Sequence, residues 1–225
     1  MRLTYSEYLR LPDLLGQLHP RSAEHDELLF ITVHQACELW FRQILTELTA
    51  ARDSMLDGES YTPRLRLRRC HTIERMLTAH FDVLDTMAAP DFHRFRTMLG
   101  TASGAQSTQF QQIERLSAWC DRSPTVWDGF LAVLTRAGFP VDTMADRAAV
   151  YQAIAANRAD YEALWELAEA LVDHDQAWSV FRQRHILTVE RQIGRKPGTA
   201  GTSGAAGLSR PERFYPELWG LRSEL

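Results

Sequence analysis

The feature that most restricts what this chain can become is the spacing of its apolar residues from Asp26 to about Leu56, a stretch that neither glycine nor proline interrupts. Phe30, Val33, Cys37, Trp40, Phe41, Ile44 and Leu48 recur mostly three or four residues apart, which puts them on one face of a long amphipathic helix. A strand needs alternation with a period of two. No convincing run of it occurs, and there is no Asn-Gly hairpin signal.

The helical period returns along the rest of the chain. Near Pro63, a residue suited to a first turn, a second helix begins and runs through Leu67, Cys70, Ile73, Leu77, Phe81 and Leu84. Pro90 closes it and opens a short helix from Asp91 to Leu99, which Gly100 ends. Further helices are expected from Thr108 to Trp119, from Thr125 to Ala137 and from Arg147 to Val172, with an extension to Ile193 left open by the pattern. The fold class is therefore all-α, a bundle of long helices. With 225 residues, one domain over 1–225 is expected, large enough for a core and an enclosed pocket.

Composition excludes several function classes. A net charge of −4 and a pI near 6.1 leave no overall basic field for nucleic acid or an anionic membrane. The cysteines Cys37, Cys70 and Cys120 are odd in number and lack CxxC spacing, which argues against a disulfide framework or a structural zinc. The N-terminus carries no apolar core of signal-peptide length, and no run of about 18 apolar residues occurs. A cytoplasmic protein is expected. Nucleotide loops of the GxxxxGK[ST] and GxGxxG types, HExxH and GxSxG are all missing from the sequence. His71 and His80 are nine apart, on opposite sides of one helix, and cannot share a metal from it. Asp173, His174 and Asp175 read as a solvated helix surface.

Two histidines and one loop stand out. His34 lies four residues after Phe30, and His185 four after Phe181 and four before Val189, so each imidazole sits on an apolar stripe. Either is a hydrogen-bonded core histidine or, being neutral and on a rigid helix, what a haem iron needs as its proximal ligand. Residues 194–207 carry five glycines in fourteen positions, and a hydrophobic, aromatic stretch from Arg210 to Trp219 follows. Such a segment is a flexible linker, or a loop held at both ends that closes over a pocket.

Beyond this, the sequence resembles the tryptophan 2,3-dioxygenases in five blocks that occur in order. HDELLFITVHQACELW at 25–40 looks like the signature helix of that family, and TYSEYLRL at 4–11 like its N-terminal motif. Phe95-Arg96, Leu99-Gly100 and Ser103-Gly104 resemble a third block. A fourth comprises FRQRH at 181–185, Thr188-Val189, Ile193-Gly194 and GTAGTSG at 198–204, and FYPEL at 214–218 resembles the C-terminal region. The resemblance implies an all-helical subunit binding haem b, assembled as a homotetramer, that inserts both atoms of O2 across the indole C2–C3 bond of L-tryptophan to give N-formylkynurenine.

Carried over by position, the resemblance implies His185 as the proximal iron ligand and His34 as the distal group facing the indole N–H. Phe30 is implied as a wall of the indole pocket and Arg96 as the grip on the substrate carboxylate, a task suited to a planar guanidinium. Thr199, on the glycine-rich loop over 194–209, is implied to contact the ammonium or carboxylate. Ser103 and Gly104 are implied beside the haem on the distal side. Tyr5, Tyr8 and Leu9, in the segment 1–24, are implied to reach into a neighbouring subunit's pocket. The chain departs from the family at Phe92, where a tyrosine hydroxyl near the carboxylate is usual, at Ala105, where a large aromatic is usual, and between Cys120 and Tyr151, where it is shorter. These departures bear on substrate identity. The alternatives are a relative acting on a substituted tryptophan or inserting a single oxygen atom, and a haem-binding helical protein without turnover.

Overall fold

In the computed structural model, which describes residues 3–118, 123–199 and 213–224, every regular element among the described residues is helical. Two short helices, α1 (Tyr5–Leu9) and α2 (Leu11–Leu15), precede the long α3 (His25–Leu56) and α4 (Tyr61–Leu84). Next come α5 (Ala89–Phe95), a 3-10 turn (Arg96–Leu99), a second 3-10 turn (Gly104–Gln106) and α6 (Thr108–Ser117). They are followed by α7 (Val126–Arg136), α8 (Met144–Ala156), the long α9 (Glu162–Ile193) and α10 (Pro216–Gly220).

The apolar periods explain how the bundle closes. α3 packs against α4, α6 and α7, and α4 packs along α9. Ile44 and Leu48 of α3, Leu67 and Leu77 of α4, and Leu167 and Leu171 of α9 are wholly buried between them. Each such side chain contributes about 1.5–3 kcal/mol of burial free energy. α7 comes close to α3 because Gly129 has no side chain: a Cβ there would stand 3.0 Å from Met55 Cβ and 3.2 Å from the Arg52 carbonyl. The entry to α3 is tied back by Glu27, whose carboxylate accepts from the Arg21 and Ser22 amides and from the Ser22 hydroxyl.

Three expectations need correction. The pattern from Arg147 to Val172 is two helices rather than one. α8 starts earlier, where the Thr143 hydroxyl and the Asp146 carboxylate form a capping box, and it ends at Ala156. There the Asn157 side chain donates to the Ala153 carbonyl, and the Asp160 and Tyr161 amides turn to the Asn157 carbonyl, so the chain changes direction without glycine or proline. The extension to Ile193 is realised in α9, which Gly194 ends at a φ of 59°. The stretch expected as one helix from Asp91 to Leu99 is α-helical through Phe95 and tightens to 3-10 at Arg96. α6 stops at Ser117, and the expected end at Trp119 lies outside the described residues.

The third correction concerns the Asp173, His174 and Asp175 cluster. Only Asp173 faces solvent, while His174 and Asp175 are 0% and 1% exposed because α9 is wrapped on several sides. His174 Nδ1 lies 2.6 Å from Glu74 Oε1 of α4, and its Nε2 lies 2.9 Å from Ser117 Oγ of α6. Asp175 accepts from the Tyr215 amide and the Trp219 indole N–H, which pins the C-terminal segment onto α9. His174→Ala leaves the Glu74 carboxylate fully buried without its imidazole. We expect it to lower stability by about 3–5 kcal/mol, read as a lower midpoint in chemical denaturation.

Candidate functional site

The site grows from one face of α9. His185, Thr188, Val189 and Gln192 are three, four and seven residues apart along that helix, so they share a face, and that face lines a cavity. α3 supplies Phe30 and His34 opposite them, α4 supplies Phe81 and Leu84, and Phe92 and Arg96 close one side. Residues 102–105 and 198–199 complete the rim. This outer lobe opens to solvent at its mouth. A deeper lobe of about 750 Å³ shares His34, Phe81, Leu84, Gly104, Ala105 and His185 with it and is walled further in by Val33, Cys37, Phe41, Phe110 and Phe181.

The two imidazoles are prepared differently. His34 Nδ1 sits 2.7 Å from the Phe30 carbonyl; a carbonyl only accepts, so Nδ1 carries the hydrogen and Nε2 is left as a bare acceptor. Its ring lies 4.0 Å, centroid to centroid, from the Phe30 ring. Burial lowers its pKa, outweighing the Phe30 carbonyl and the Glu38 charge that favour protonation. His185 makes no hydrogen bond among the described residues, and its ring lies 5.8 Å from that of Phe81. Burial, and then the neighbouring His34, depress its pKa to about 4. Both rings are therefore neutral at physiological pH, each with a lone pair to offer.

The polar rim is built from backbone. The Arg96 guanidinium donates to the Pro197 carbonyl, and the Thr199 hydroxyl to the Ala102 carbonyl, so the start of the glycine-rich segment lies across the mouth. Residues 200–209 of that expected loop lie outside the described residues. Ser103 and Gln106 cap each other, and the Gln111 amide donates to the Ala105 carbonyl at 2.8 Å, which holds Ser103, Gly104 and Ala105 toward the cavity.

Phe30, His34, Phe92, Arg96, Ser103, Gly104, His185 and Thr199 thus share one cavity wall. Tyr5, Tyr8 and Leu9 do not join them: they stand on α1, 75%, 73% and 40% exposed. Sequence reasoning missed Met87 and Gln192 as lining residues. Gln192 was findable, seven residues past His185 on the same stripe. Met87 was not, because it follows the end of α4 and only the packing of α5 turns it inward. Among the described residues, no group of three or more histidine, cysteine, aspartate or glutamate side chains is arranged to hold a metal ion. The donor set suits a group that brings its own equatorial ligands and needs one imidazole, in an apolar slot.

Known proteins resemble this chain along nearly its whole length. A family model described as tryptophan 2,3-dioxygenase matches residues 1–122 and 132–225. The tryptophan 2,3-dioxygenase of Nocardioides sp. is 45% identical over an alignment covering 100% of this chain and 95% of its own length. Those of Herpetosiphon aurantiacus and Caulobacter vibrioides are each 36% identical, covering 99% of this chain and 98% of their own lengths.

The inner lobe makes its own prediction. Cys37 lines it, with its sulfur 3.7 Å from His80 Nδ1, and burial followed by the Glu38 charge pushes its thiol up to about 12. At pH 8 only about one molecule in ten thousand then carries the reactive thiolate. We expect native Cys37 to be alkylated by iodoacetamide about a thousandfold more slowly than after unfolding, measured by peptide mass spectrometry.

Proposed function

The chain belongs to the tryptophan 2,3-dioxygenase family, and on that premise we propose that it holds haem b in this cavity and inserts both atoms of O2 across the indole C2–C3 bond of L-tryptophan, giving N-formylkynurenine. It is an oxidoreductase. The observation that carries the site reading is the convergence of two neutral imidazoles, from α3 and α9, on one apolar cavity with a guanidinium at its mouth.

The residues present fit a haem. His185 offers a lone pair uncommitted among the described residues, on a helix held against α4 where Arg184 donates to Asp82 and Asp85 and Thr188 donates to Asp85. His185 would hold the haem iron. When bound, the haem supplies the activation of O2 that a closed-shell indole requires. The remaining tasks fall to the chain. His34 Nε2 is a fixed acceptor for the indole N–H, since its other nitrogen is committed to the Phe30 carbonyl. Phe30 and Phe92 touch each other, their centroids 5.8 Å apart, and together offer the ring one aromatic wall. Arg96 has donors left beyond the one given to Pro197, enough to grip a carboxylate in two places. Thr199 sits beside it on the rim for the amino-acid end, and Ser103 and Gly104 would line the space around the haem. Held at both ends, the indole stands in reach of the oxygen rather than diffusing to it.

The assembly is read the same way. Tyr5, Tyr8 and Leu9 expose apolar surface on a helix too short for a core of its own, which supports a homotetramer in which α1 covers a neighbour's pocket. We read 1–225 as one haem-binding domain and the protein as cytoplasmic. Among the described residues no helix is long and apolar enough to cross a membrane.

A second reading rests on Ala105, which lies where the two lobes join, and on Phe92, which brings no hydroxyl to the rim. Both favour a relative that takes a substituted tryptophan or inserts one oxygen atom. Incubating the reduced holoenzyme with L-tryptophan and oxygen-18 gas separates the readings by product mass. N-formylkynurenine carrying two labelled atoms is expected. A single labelled atom would establish a monooxygenase, turnover of a ring-substituted tryptophan but not of L-tryptophan would establish the altered substrate, and turnover of neither would leave a haem-binding protein.

His185→Ala is expected to abolish the native Soret band. Arg96→Ala should retain haem and weaken tryptophan binding by about 2–5 kcal/mol, measured by equilibrium titration.

A further inference from the structure

Arg184, Thr188 and Arg191 of α9 are spaced four and three apart, so they form one stripe, and all three reach Asp85, the residue that caps α4. Arg184 Nη2–H donates to Asp85 Oδ2 at 2.6 Å, and the Thr188 hydroxyl donates to Oδ1 at 3.2 Å. Arg184 Nη1–H also donates to the Thr188 hydroxyl at 3.4 Å, which closes a ring of three polar groups. Arg191 donates to the main-chain carbonyl of Asp85 at 3.3 Å. Asp82 takes a bond from Arg184 as well, but its side chain is 74% exposed against 17% for Asp85, so water screens it.

His185 falls within this ring, one residue after Arg184 and three before Thr188. Its own contacts do not orient it. It makes no hydrogen bond among the described residues, and it meets α4 through the Phe81 ring at 5.8 Å, which in turn packs on Phe181 at 5.2 Å. Apolar burial is non-directional, so a seam of this kind resists separating the helices more than turning one about its axis. Asp85 supplies the direction. Its two oxygens are divided between two side chains of α9, and its amide donates to the Phe81 carbonyl at 2.8 Å, so the carboxylate is fixed to the turn that presents the Phe81 ring. Gln192 adds a tie further along, to the Met87 carbonyl. We propose that Asp85 is a positioning residue for the haem site: its carboxylate sets the rotation of α9 and with it the direction in which the His185 imidazole meets the iron. This rests on the reading of His185 as the residue that would hold the haem iron.

The test is the iron–imidazole stretching band of the ferrous holoenzyme, recorded by resonance Raman spectroscopy, together with the rate at which haem is lost to an apoprotein scavenger. Asp85→Ala removes both acceptors. Thr188→Val keeps the shape of the side chain and removes one arm of the hold, so it serves even where Asp85→Ala fails to fold. Each should displace or split the band, and Asp85→Ala should speed haem loss by about ten-fold or more, the size expected when a group that orients a metal ligand is removed. His174→Ala is the control: it loosens the bundle at Glu74, away from the cavity, and should leave the band where it is. An unchanged band in Thr188→Val and in folded Asp85→Ala would overturn the role given to Asp85. An equal displacement in His174→Ala would also overturn it, since general loosening would then suffice. A wild-type band that persists in His185→Ala would overturn the ligand reading itself, a separate failure.

Discussion

Water is excluded from the space between α3, α4 and α9, and the chemistry of the molecule follows from that exclusion. Ile44, Leu48, Leu77 and Phe81, joined by Phe181 of α9, form an apolar seam that continues into the wall of the cavity. His34 and His185 project into this seam, where solvation of a positive charge is lost, so both imidazoles titrate below their ordinary range. The burial that stabilises the bundle also keeps both imidazoles neutral.

A seam of this kind leaves three helices free to slide and rotate, and polar contacts remove that freedom. Around Glu74, His174 and Ser117 the elements α4, α6 and α9 are fixed to one another, and Asp175 fixes the C-terminal segment to α9. Nearer the cavity, Arg184 and Thr188 bond to Asp82 and Asp85, which sets the rotation of α9 so that His185 and Gln192 face inward. Glu47 shows the same device on α3, held between Arg66 and Arg69 of α4. Burial raises its carboxyl pKa, but the hydrogen bonds from Arg69, Arg66 and Gln43 more than offset this and leave it below the usual value. Its contribution is therefore present above the ordinary carboxylate range and is lost as pH falls through the depressed value.

The rim of the cavity follows a different rule. Its polar groups are held by short-range loop contacts rather than by the bundle: Ser103 with Gln106, Gln111 with Ala105, Arg96 with Pro197, and Thr199 with Ala102. Phe92 and Ala105 lie on this wall, and neither hydrogen-bonds to His34 or His185 among the described residues.

The sequence by itself determined the helices and the stripe each one buries. Helical period is a local property, written in neighbours three and four apart, so the expected span from Asp26 to Leu56 differs by one residue from the observed His25–Leu56. The family blocks likewise pointed to His34, Arg96, His185 and Thr199, which the fold brings to one cavity. What a helix is packed against is not local. The break after Ala156 carries no glycine or proline, and the burial of His174 and Asp175 depends on α4, α6 and the C-terminal segment, which are remote in sequence. Gln192 is the sharpest case: its stripe can be read from the sequence, but only the Met87 carbonyl, brought across from the end of α4, orients its amide and leaves one oxygen unpaired beside the cavity. Tertiary structure decided that, because an unmet hydrogen bond is a property of surroundings and not of a residue.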